Sequence, residues 1–221
     1  MAQTHATQDR VNDFVIKLAN VNGTGSASAN TMLMKSIFRM GIPVMGKNYF
    51  PSNIQGLPTW YEIRVTKDAY VARSGRVDLM VAMNAETYQK DVREVSPGGF
   101  LIFDSTWPRS AVLARDDIAI LGAPLAKICN ENFVGVRNRI LMKNVMYAGV
   151  LAALLEIDVE VIRGLLTEQR GEAGHRFLAA LLGRQRVEAA RIGEAQQNAR
   201  APGRGADVEG DEHRPLVGQR L

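Results

Sequence analysis

The sequence predicts an α/β fold in which a mainly parallel sheet is sandwiched by helices. Continuous apolar runs at residues 78–83, 100–104 and 118–121 are typical of parallel strands covered on both faces. An earlier apolar run, 14–19, leads through a glycine turn into a stretch with helical spacing. Residues 86–92, between two of the runs, indicate a short helix. The predicted architecture is therefore Rossmann-like.

The glycine turn of this first strand-loop-helix unit is the strongest chemical signal in the chain. At a helix start, unpaired backbone N–H groups and the positive end of the helix dipole favour a phosphate or a carboxylate. Two glycines one residue apart let the chain turn tightly and let an anion approach the backbone. Hydroxyl side chains between and after them add donors or a helix cap. The candidate anion-binding residues of the turn are Asn22, Gly23, Thr24, Gly25, Ser26 and Ser28.

The turn does not satisfy the strict dinucleotide-binding fingerprint. Ser28 occupies the third glycine position, and no acidic residue follows at the distance from which a ribose is held. The next apolar segment, 42–46, leads to Lys47 instead. A lysine suits a phosphate-rich ligand or an interface carboxylate better than a ribose diol, so Lys47 joins the candidate anion site. The alternative is that the glycines serve only a close strand-to-helix turn.

Residues 59–66 alternate in character and are rich in β-formers, which predicts a strand with one covered face. Glu62 and Arg64 share one face of this strand, and we expect them to form an exposed ion pair of little energetic weight. These two residues and Asp104 are the best titratable candidates for a catalytic role near strand ends. No nucleophile–base pair or pair of carboxylates is spaced for catalysis, so we expect no catalytic residue in this chain.

Apolar residues with helical spacing between 138 and 155 predict a buried or interface helix. Asn138 and Asn144 lie on this helix, and both amides need hydrogen-bond partners there. Asp158 is placed to cap a further helix at 159–166.

Length and composition indicate a globular protein. The 221 residues allow one full domain and an appendage, and the 46% apolar and 23% charged contents lie near the globular average. No apolar run approaches the roughly 18 residues needed to span a bilayer. Residues 1–8 are polar and lack the apolar centre of a secretory signal. We expect a cytoplasmic protein without a membrane segment.

The cysteine and histidine content argues against a metal site. Cys129 is the only cysteine, which excludes an internal disulfide and any zinc or iron–sulfur site built from several thiolates of this chain. We expect it to pack as a small apolar residue. His5, His175 and His213 have no metal-ligand spacing. The net charge of +4 is modest and spread along the chain, so nucleic acid is not an expected partner.

The composition changes after about residue 170. All seven lysines lie at or before Lys143, whereas the last 51 residues contain eight arginines, eight glycines and nine alanines. A helix is predicted within 170–196, and 197–221 is predicted to be disordered because it offers little to bury. One hypothesis is that this tail results from truncation or a shifted reading frame.

Two long strings, residues 18–30 and 47–65, resemble the gamma domain of 2-oxoacid:ferredoxin oxidoreductases. They are most similar to the form fused at the N-terminus of the alpha subunit of 2-oxoglutarate oxidoreductases. The resemblance covers residues 12–169, including 104–106, and leaves out the tail. Related gamma domains more often have three glycines in the turn, where this chain has Ser26.

The resemblance implies an enzyme complex that converts a 2-oxoacid and coenzyme A into an acyl-CoA and carbon dioxide, with electrons passing through iron–sulfur clusters to ferredoxin. Thiamine diphosphate supplies the carbon chemistry. The implied partners are a pyrimidine-binding alpha module and a beta subunit that holds thiamine diphosphate and magnesium. The resemblance implies that this chain is inactive alone and contributes to coenzyme A binding.

The segment 50–58 is bounded by prolines and lacks strand or helix periodicity. We expect a rigid loop that faces the active centre or a partner subunit, the alternative being a plain surface connection. Its candidate residues, with the one preceding it, are Asn48, Pro51, Ser52, Asn53, Gln55 and Gly56. For the whole chain, the alternatives are a stand-alone nucleotide-binding or regulatory protein and a nonfunctional gene fragment.

Overall fold

Six strands and five helices are described in the computed structural model, which covers residues 11–50, 54–70, 72–107 and 114–170. The strands are β1 Phe14–Val21, β2 Val44–Tyr49, β3 Pro58–Val65, β4 Leu79–Ala82, β5 Phe100–Asp104 and β6 Ala119–Ala123. The helices are α1 Ser26–Arg39, α2 Tyr88–Glu94, α3 Leu125–Asn132, α4 Val136–Leu154 and α5 Val159–Arg170. The predicted helix within 170–196, the predicted disordered tail 197–221, all three histidines and Pro51, Ser52 and Asn53 lie outside the described residues.

The strands form one sheet in the order β2-β3-β1-β4-β5-β6. The β1–β4, β4–β5 and β5–β6 pairs are parallel, whereas β2–β3 and β1–β3 are antiparallel. The prediction of a mainly parallel α/β sheet is therefore confirmed, with an antiparallel extension at one side. The parallel arrangement places the ends of β1, β4, β5 and β6 at a common edge, here called the carboxyl edge.

Helices cover both faces of the sheet. One face packs against α1, α3, α4 and α5 in the larger core, where Ile16, Leu18 and Ile63 meet Leu33 and Leu151. The opposite face packs against α2 in a smaller core that includes Trp60, Met80, Leu101 and Val92. Successive residues of a strand point to opposite faces, so each strand contributes to both cores.

Two strands differ in burial from the sequence prediction. The strand predicted at 59–66 is β3, but side chains on both of its faces are buried, because the larger core covers Tyr61 on one face and the smaller core covers Trp60 on the other. The expectation of one covered face was wrong for this reason. Conversely, β6 is an edge strand, and Ala119 and Ile120 of the run predicted at 118–121 are only half-buried rather than covered on both sides.

The long helix predicted at 138–155 is α4, whose two halves differ. Residues 144–149 are all buried against the larger core, while the N-terminal half is largely exposed. The apolar half is thus covered within the chain. At the next helix, the Asp158 carboxylate accepts a hydrogen bond from the Glu160 N–H at 2.8 Å, so the predicted cap of α5 is confirmed. Across the described residues, no helix has the length and apolarity to cross a membrane.

Candidate functional site: the glycine turn at the carboxyl edge

The predicted glycine turn connects β1 to α1 at the carboxyl edge. Gly23 and Gly25 adopt φ values of 85° and 81°, in the left-handed region that favours glycine. Gly25 is the N-cap residue of α1, and among the residues that the structure describes no side chain makes a cap hydrogen bond to this helix start. The first N–H groups of α1 therefore lack the side-chain acceptor that helix starts commonly receive.

One side of the turn is attached to the segment 54–57. The backbone N–H of Asn22 donates to the Leu57 carbonyl at 2.8 Å, and the Gly56 N–H donates to the Asn22 carbonyl at 3.0 Å. The Asn22 side chain adds a bond to the Ile54 carbonyl at 3.1 Å. A Cβ on Gly23 would come within 2.4 Å of Cγ of Gln55, so this side chain lies over the turn. The predicted loop segment thus shapes the turn.

The other side of the turn is attached to α4. The buried Asn144 side chain donates from Nδ2 to the Thr24 carbonyl at 2.7 Å. The Tyr147 hydroxyl donates to Oδ1 of Asn30 at 2.7 Å, and Asn30 in turn donates to Oδ1 of Asn20 at 3.1 Å. Burial raises the pKa of the Tyr147 hydroxyl, which keeps it a donor over the accessible pH range. These bonds connect α4, α1 and β1 beneath the turn.

A cavity of about 340 Å³ opens beside the turn. Its lining comes from β1–α1, from the end of β2 and from the start of β3, and none of the lining side chains is charged. It combines amides, hydroxyls, aromatic rings and backbone of the turn: Asn22, Gly23, Gly25, Ser26, Ala27, Asn30, Asn48, Phe50, Thr59, Trp60 and Tyr61. Such a lining binds a ligand by hydrogen bonds and ring contacts, with the dipole of α1 as the source of positive potential.

The structure brings only part of the sequence-predicted anion site to this cavity. Asn22, Gly23, Gly25 and Ser26 line it, as does Asn48. Gly56 and Gln55 contact the turn without lining the cavity.

Three other candidates point elsewhere. The Thr24 hydroxyl donates to the Val21 carbonyl at 2.7 Å, and Ser28 is exposed on α1. Lys47 is paired with Glu62 in the β2–β3 register, which places its side chain on the sheet face opposite the larger core. There its ammonium lies 5.3 Å from the centre of the Tyr49 ring. Lys47 therefore does not supply the positive charge of this cavity.

Glu62 and Arg64, the titratable candidates of β3, each form an ion pair with a residue of another segment and not with each other. Glu62 is 6% exposed, and it pairs with Arg73 at 3.3 Å between Oε1 and Nε. Arg64 pairs with Asp13 and donates to the Val65 carbonyl at 2.9 Å. The expected exposed Glu62–Arg64 pair was wrong, because β3 is covered on this face and each side chain has a partner from another segment.

Asp104 has a structural role at the end of β5. Its carboxylate accepts from the Ala126 N–H at 3.1 Å and from the Thr106 hydroxyl at 2.6 Å, and that hydroxyl accepts from the Lys127 N–H at 3.0 Å. Lys143 lies 3.9 Å from the same carboxylate. Asp104 and Thr106 together cap α3, so neither is available as a catalytic base.

Cys129 packs in the larger core, as predicted, with its Sγ 3.3 Å from Sδ of Met146. Burial raises the pKa of its thiol to about 11, so it stays protonated and unreactive. Within the part of the chain that the structure describes, no group of three His, Cys, Asp or Glu side chains could hold a metal ion.

Several residues of the site were not predicted from the sequence. Trp60 and Tyr61 come from β3, and Phe50 follows β2, so only the sheet order brings them to the turn. Asn144 was noted because a buried helical amide needs a partner, but its partner is 120 residues away in the chain.

The sequence model for pyruvate ferredoxin/flavodoxin oxidoreductase matches residues 15–183. Among curated proteins, the chain is 30% identical over 115 residues to the alpha subunit of 2-oxoacid:ferredoxin oxidoreductase 2 from Aeropyrum pernix. That match covers 52% of this chain and 17% of the relative, so the chain spans only a small part of the relative's length.

Solved structures share the fold at low sequence identity. A Magnetococcus marinus 2-oxoglutarate:ferredoxin oxidoreductase, solved with 2-oxoglutarate, coenzyme A and succinyl-CoA bound, superposes with a TM-score of 0.67 at 20% identity. The match covers 94% of this chain and 34% of that one. The pyruvate oxidoreductase subunit PORC from Thermotoga maritima gives a TM-score of 0.60 at 19% identity, covering 76% and 93% of the two chains. A gamma subunit of a keto/oxoacid ferredoxin oxidoreductase from Geobacter sulfurreducens gives 0.57 at 15% identity, covering 75% and 94%.

Proposed function

The chain belongs to the pyruvate ferredoxin/flavodoxin oxidoreductase family, and from this we propose that it is the gamma-domain module of a 2-oxoacid:ferredoxin oxidoreductase. The module spans residues 12–169 and is not catalytic alone. It assists the oxidative decarboxylation of a 2-oxoacid, in which coenzyme A receives the acyl group and ferredoxin receives the electrons. Its partners are the pyrimidine-binding alpha module and the thiamine-binding beta subunit.

One observation carries the ligand part of this proposal. The start of α1 receives no side-chain cap from the described residues and lies beside a cavity at the carboxyl edge, where ligands of open α/β sheets bind. Backbone N–H groups and the helix dipole there favour an oxygen-rich ligand such as a coenzyme A phosphate.

The cavity lining also suits the less charged parts of coenzyme A. The amides of Asn22 and Asn48 provide both donors and acceptors for the amide groups of a pantetheine arm. The ring of Tyr61, which lies on the same face of the sheet as α1, provides flat apolar surface at the same cavity. A volume of about 340 Å³ is at the lower end for small-molecule pockets, so this module holds part of coenzyme A and partner subunits enclose the rest.

The chemistry at the reacting carbon is supplied by thiamine diphosphate, which belongs to the beta subunit in this proposal. This chain's residues bind and orient coenzyme A: the turn and α1 donate hydrogen bonds, and the aromatic side chains exclude water. Glu62 and Asp104, two titratable candidates near strand ends in the described part of the chain, are used in an ion pair and a helix cap, so neither is given a role as acid or base. We propose 2-oxoglutarate as the substrate, supported by its presence in the Magnetococcus marinus structure.

The proposal is tested in the assembled complex by coenzyme A-dependent reduction of a viologen dye with 2-oxoglutarate. Gly25→Ala places a Cβ at φ 81° and within 2.5 Å of Cδ2 of Leu141, so the turn must change shape. We expect the KM for coenzyme A to rise several-fold, while the KM for 2-oxoglutarate stays unchanged.

Gly41→Ala is the matched control. Gly41 also has a positive φ, 80°, but no atom lies within 4 Å of a Cβ there, and it follows the far end of α1. Equal KM values for coenzyme A in the two variants would contradict a ligand role for the turn. If no 2-oxoacid is oxidised in the presence of the partner subunits, or if the isolated chain binds NADP instead of coenzyme A in calorimetry, the stand-alone nucleotide-binding function replaces this proposal.

A further inference from the structure

Helix α4 holds the glycine turn through two polar side chains one helical turn apart. Asn144 donates to the Thr24 carbonyl and Tyr147 donates to Asn30 Oδ1, each at 2.7 Å. Asn144 is 3% exposed and Tyr147 is 0% exposed. Because residues three apart lie on the same side of a helix, one side of α4 makes both bonds. Neither residue lines the cavity, so both act on it through the segments that they hold.

The Asn144 bond fixes the direction of a peptide that borders the cavity. In a trans peptide, the carbonyl and the following N–H point in opposite directions. The bond that draws the Thr24 carbonyl towards α4 therefore directs the Gly25 N–H away from α4. Gly25 belongs to the cavity lining.

Without this bond, little in the local backbone opposes rotation of the same peptide. Gly23 and Gly25 flank Thr24, and glycine reaches positive and negative φ values with similar ease. A flipped Thr24–Gly25 peptide would present a carbonyl where the N–H now points. A carbonyl repels a phosphate oxygen, which an N–H attracts.

Asn138 shows that this arrangement is not a general property of asparagines on α4. Its amide is exposed and donates to the Val134 carbonyl, four residues earlier in the chain, at 3.2 Å. It makes a local bond near the helix start, whereas Asn144 crosses to another element. The same helix thus offers a matched control for Asn144.

We propose that Asn144 is a positioning residue, which holds the Thr24–Gly25 peptide so that the Gly25 N–H is presented to coenzyme A. Tyr147 supports it by holding Asn30 in the first part of α1. This inference rests on the proposed function, because the ligand is the coenzyme A of that proposal.

The test compares Asn144→Leu with Asn138→Leu in the assembled complex. We expect Asn144→Leu to raise the KM for coenzyme A on the order of tenfold, because a group that presents a hydrogen bond to the ligand is no longer held. The KM for 2-oxoglutarate and kcat at saturating coenzyme A should stay within twofold of the wild type. Asn138→Leu should change none of these values. A purely structural role for Asn144 would lower kcat or the yield of complex without separating the two KM values.

Hydrogen exchange gives a readout that does not depend on activity. In Asn144→Leu, amides of residues 22–28 should exchange faster than in the wild type, and in Asn138→Leu they should not. Tyr147→Phe keeps the ring and removes the hydroxyl, so it provides a second variant if Asn144→Leu does not assemble. It should produce a smaller rise in the KM for coenzyme A. Asn144→Gln retains an amide donor and should recover part of the wild-type KM.

The outcomes separate this inference from the proposed function. If Gly25→Ala raises the KM for coenzyme A but Asn144→Leu and Tyr147→Phe leave both that KM and the exchange of residues 22–28 unchanged, the positioning role is wrong and the ligand site stands. If none of these variants, Gly25→Ala included, changes the KM for coenzyme A, the ligand site fails and the positioning role fails with it.

Discussion

Helices α1 and α3 both begin at the carboxyl edge of the same sheet, but they differ in whether side chains accept hydrogen bonds from the N–H groups of their first turns. At α3, the chain's own Asp104 and Thr106 accept the N–H groups of Ala126 and Lys127. At α1, the N-cap is Gly25, no side chain from the described part of the chain caps the start, and a cavity lies beside it. Both helix starts have the same need for acceptors, but among the described residues only the start of α3 receives side-chain acceptors.

The difference shows why position in the fold does not identify a binding site. The Asp104 carboxylate occupies at α3 the place that a ligand anion would take at α1, and Lys143 lies close enough to offset part of its charge. At the start of α3, the N–H groups of Ala126 and Lys127 are therefore already hydrogen-bonded and not open to an external anion. The distinguishing features of α1 are its two positive-φ glycines and its missing cap.

The largest expected effect concerns the capped helix. Asp104→Ala removes a 5% exposed carboxylate that accepts from backbone and hydroxyl donors, and it leaves those donors unpaired. We expect the free energy of unfolding to fall by about 2–3 kcal/mol, measured by urea denaturation. The KM for coenzyme A in the complex should not change, because Asp104 does not line the cavity.

Asp116→Ala is the control for this variant, since Asp116 is exposed. It should change the free energy of unfolding by less than about 0.5 kcal/mol. A loss below about 1 kcal/mol for Asp104→Ala would mean that water satisfies the start of α3 as well as the carboxylate does. The contrast between the two helix starts would then have no energetic basis.

Much of the fold could be predicted because burial leaves a direct trace in the sequence. The continuous apolar runs of β4 and β5 reflect coverage on both faces, and the glycine turn after β1 reflects a tight strand-to-helix connection. The antiparallel pairing of β2 with β3 leaves no such trace, because periodicity gives the faces of a strand and not the direction of its neighbour.

The site could be predicted only where it is local in the chain. Gly23 and Gly25 reveal their backbone conformation by residue type, since other residues rarely adopt it. Trp60 reaches the cavity through the sheet order, and the burial of Glu62 depends on its pairing with Arg73. Such long-range relations follow from the assembled fold, so the sequence could not show that the pairing of Lys47 with Glu62 places Lys47 on the sheet face opposite the larger core.

A second prediction concerns the connection between β4 and α2, the third strand-to-helix turn at this edge. The helix that follows this connection, α2, contains the buried Asp91, which accepts from Nε1 of Trp60 at 2.8 Å and from the Thr87 hydroxyl at 2.6 Å. Burial raises the pKa of Asp91, and the two hydrogen bonds offset only part of that effect. Because of this burial, the Asp91 carboxylate is costly to keep ionised.

An acid whose pKa is raised on folding binds its proton more tightly in the native state. Its contribution to stability is complete below its unfolded pKa of about 3.9 and is lost as the pH rises through the folded pKa. Asp91→Asn removes the charge and can still accept from Trp60. We expect the variant to be more stable than the wild type at pH 7, with the difference shrinking towards pH 4.

Urea denaturation of the wild type and Asp91→Asn between pH 4 and pH 7 measures this difference. Asp116→Asn, at an exposed position, is the matched control and should not reproduce the trend. A constant difference across the pH range would show that Asp91 is as favourably ionised in the folded chain as in the unfolded one. The burial of Asp91 would then carry no cost for its ionised form.

The smallest expected effect comes from a helix cap away from the carboxyl edge. Asp158 caps α5 with one bond, to the Glu160 N–H at 2.8 Å, and both residues are exposed. Asp158→Ala should lower the free energy of unfolding by about 0.5–1 kcal/mol, because water replaces the lost acceptor at an exposed helix start. Asp158→Asn should recover most of the loss, since an asparagine oxygen also caps well. If Asp158→Ala is as destabilising as Asp104→Ala in parallel urea titrations, burial contributes nothing to the strength of these caps, and the uncapped start of α1 loses its distinction from an ordinary solvated helix end.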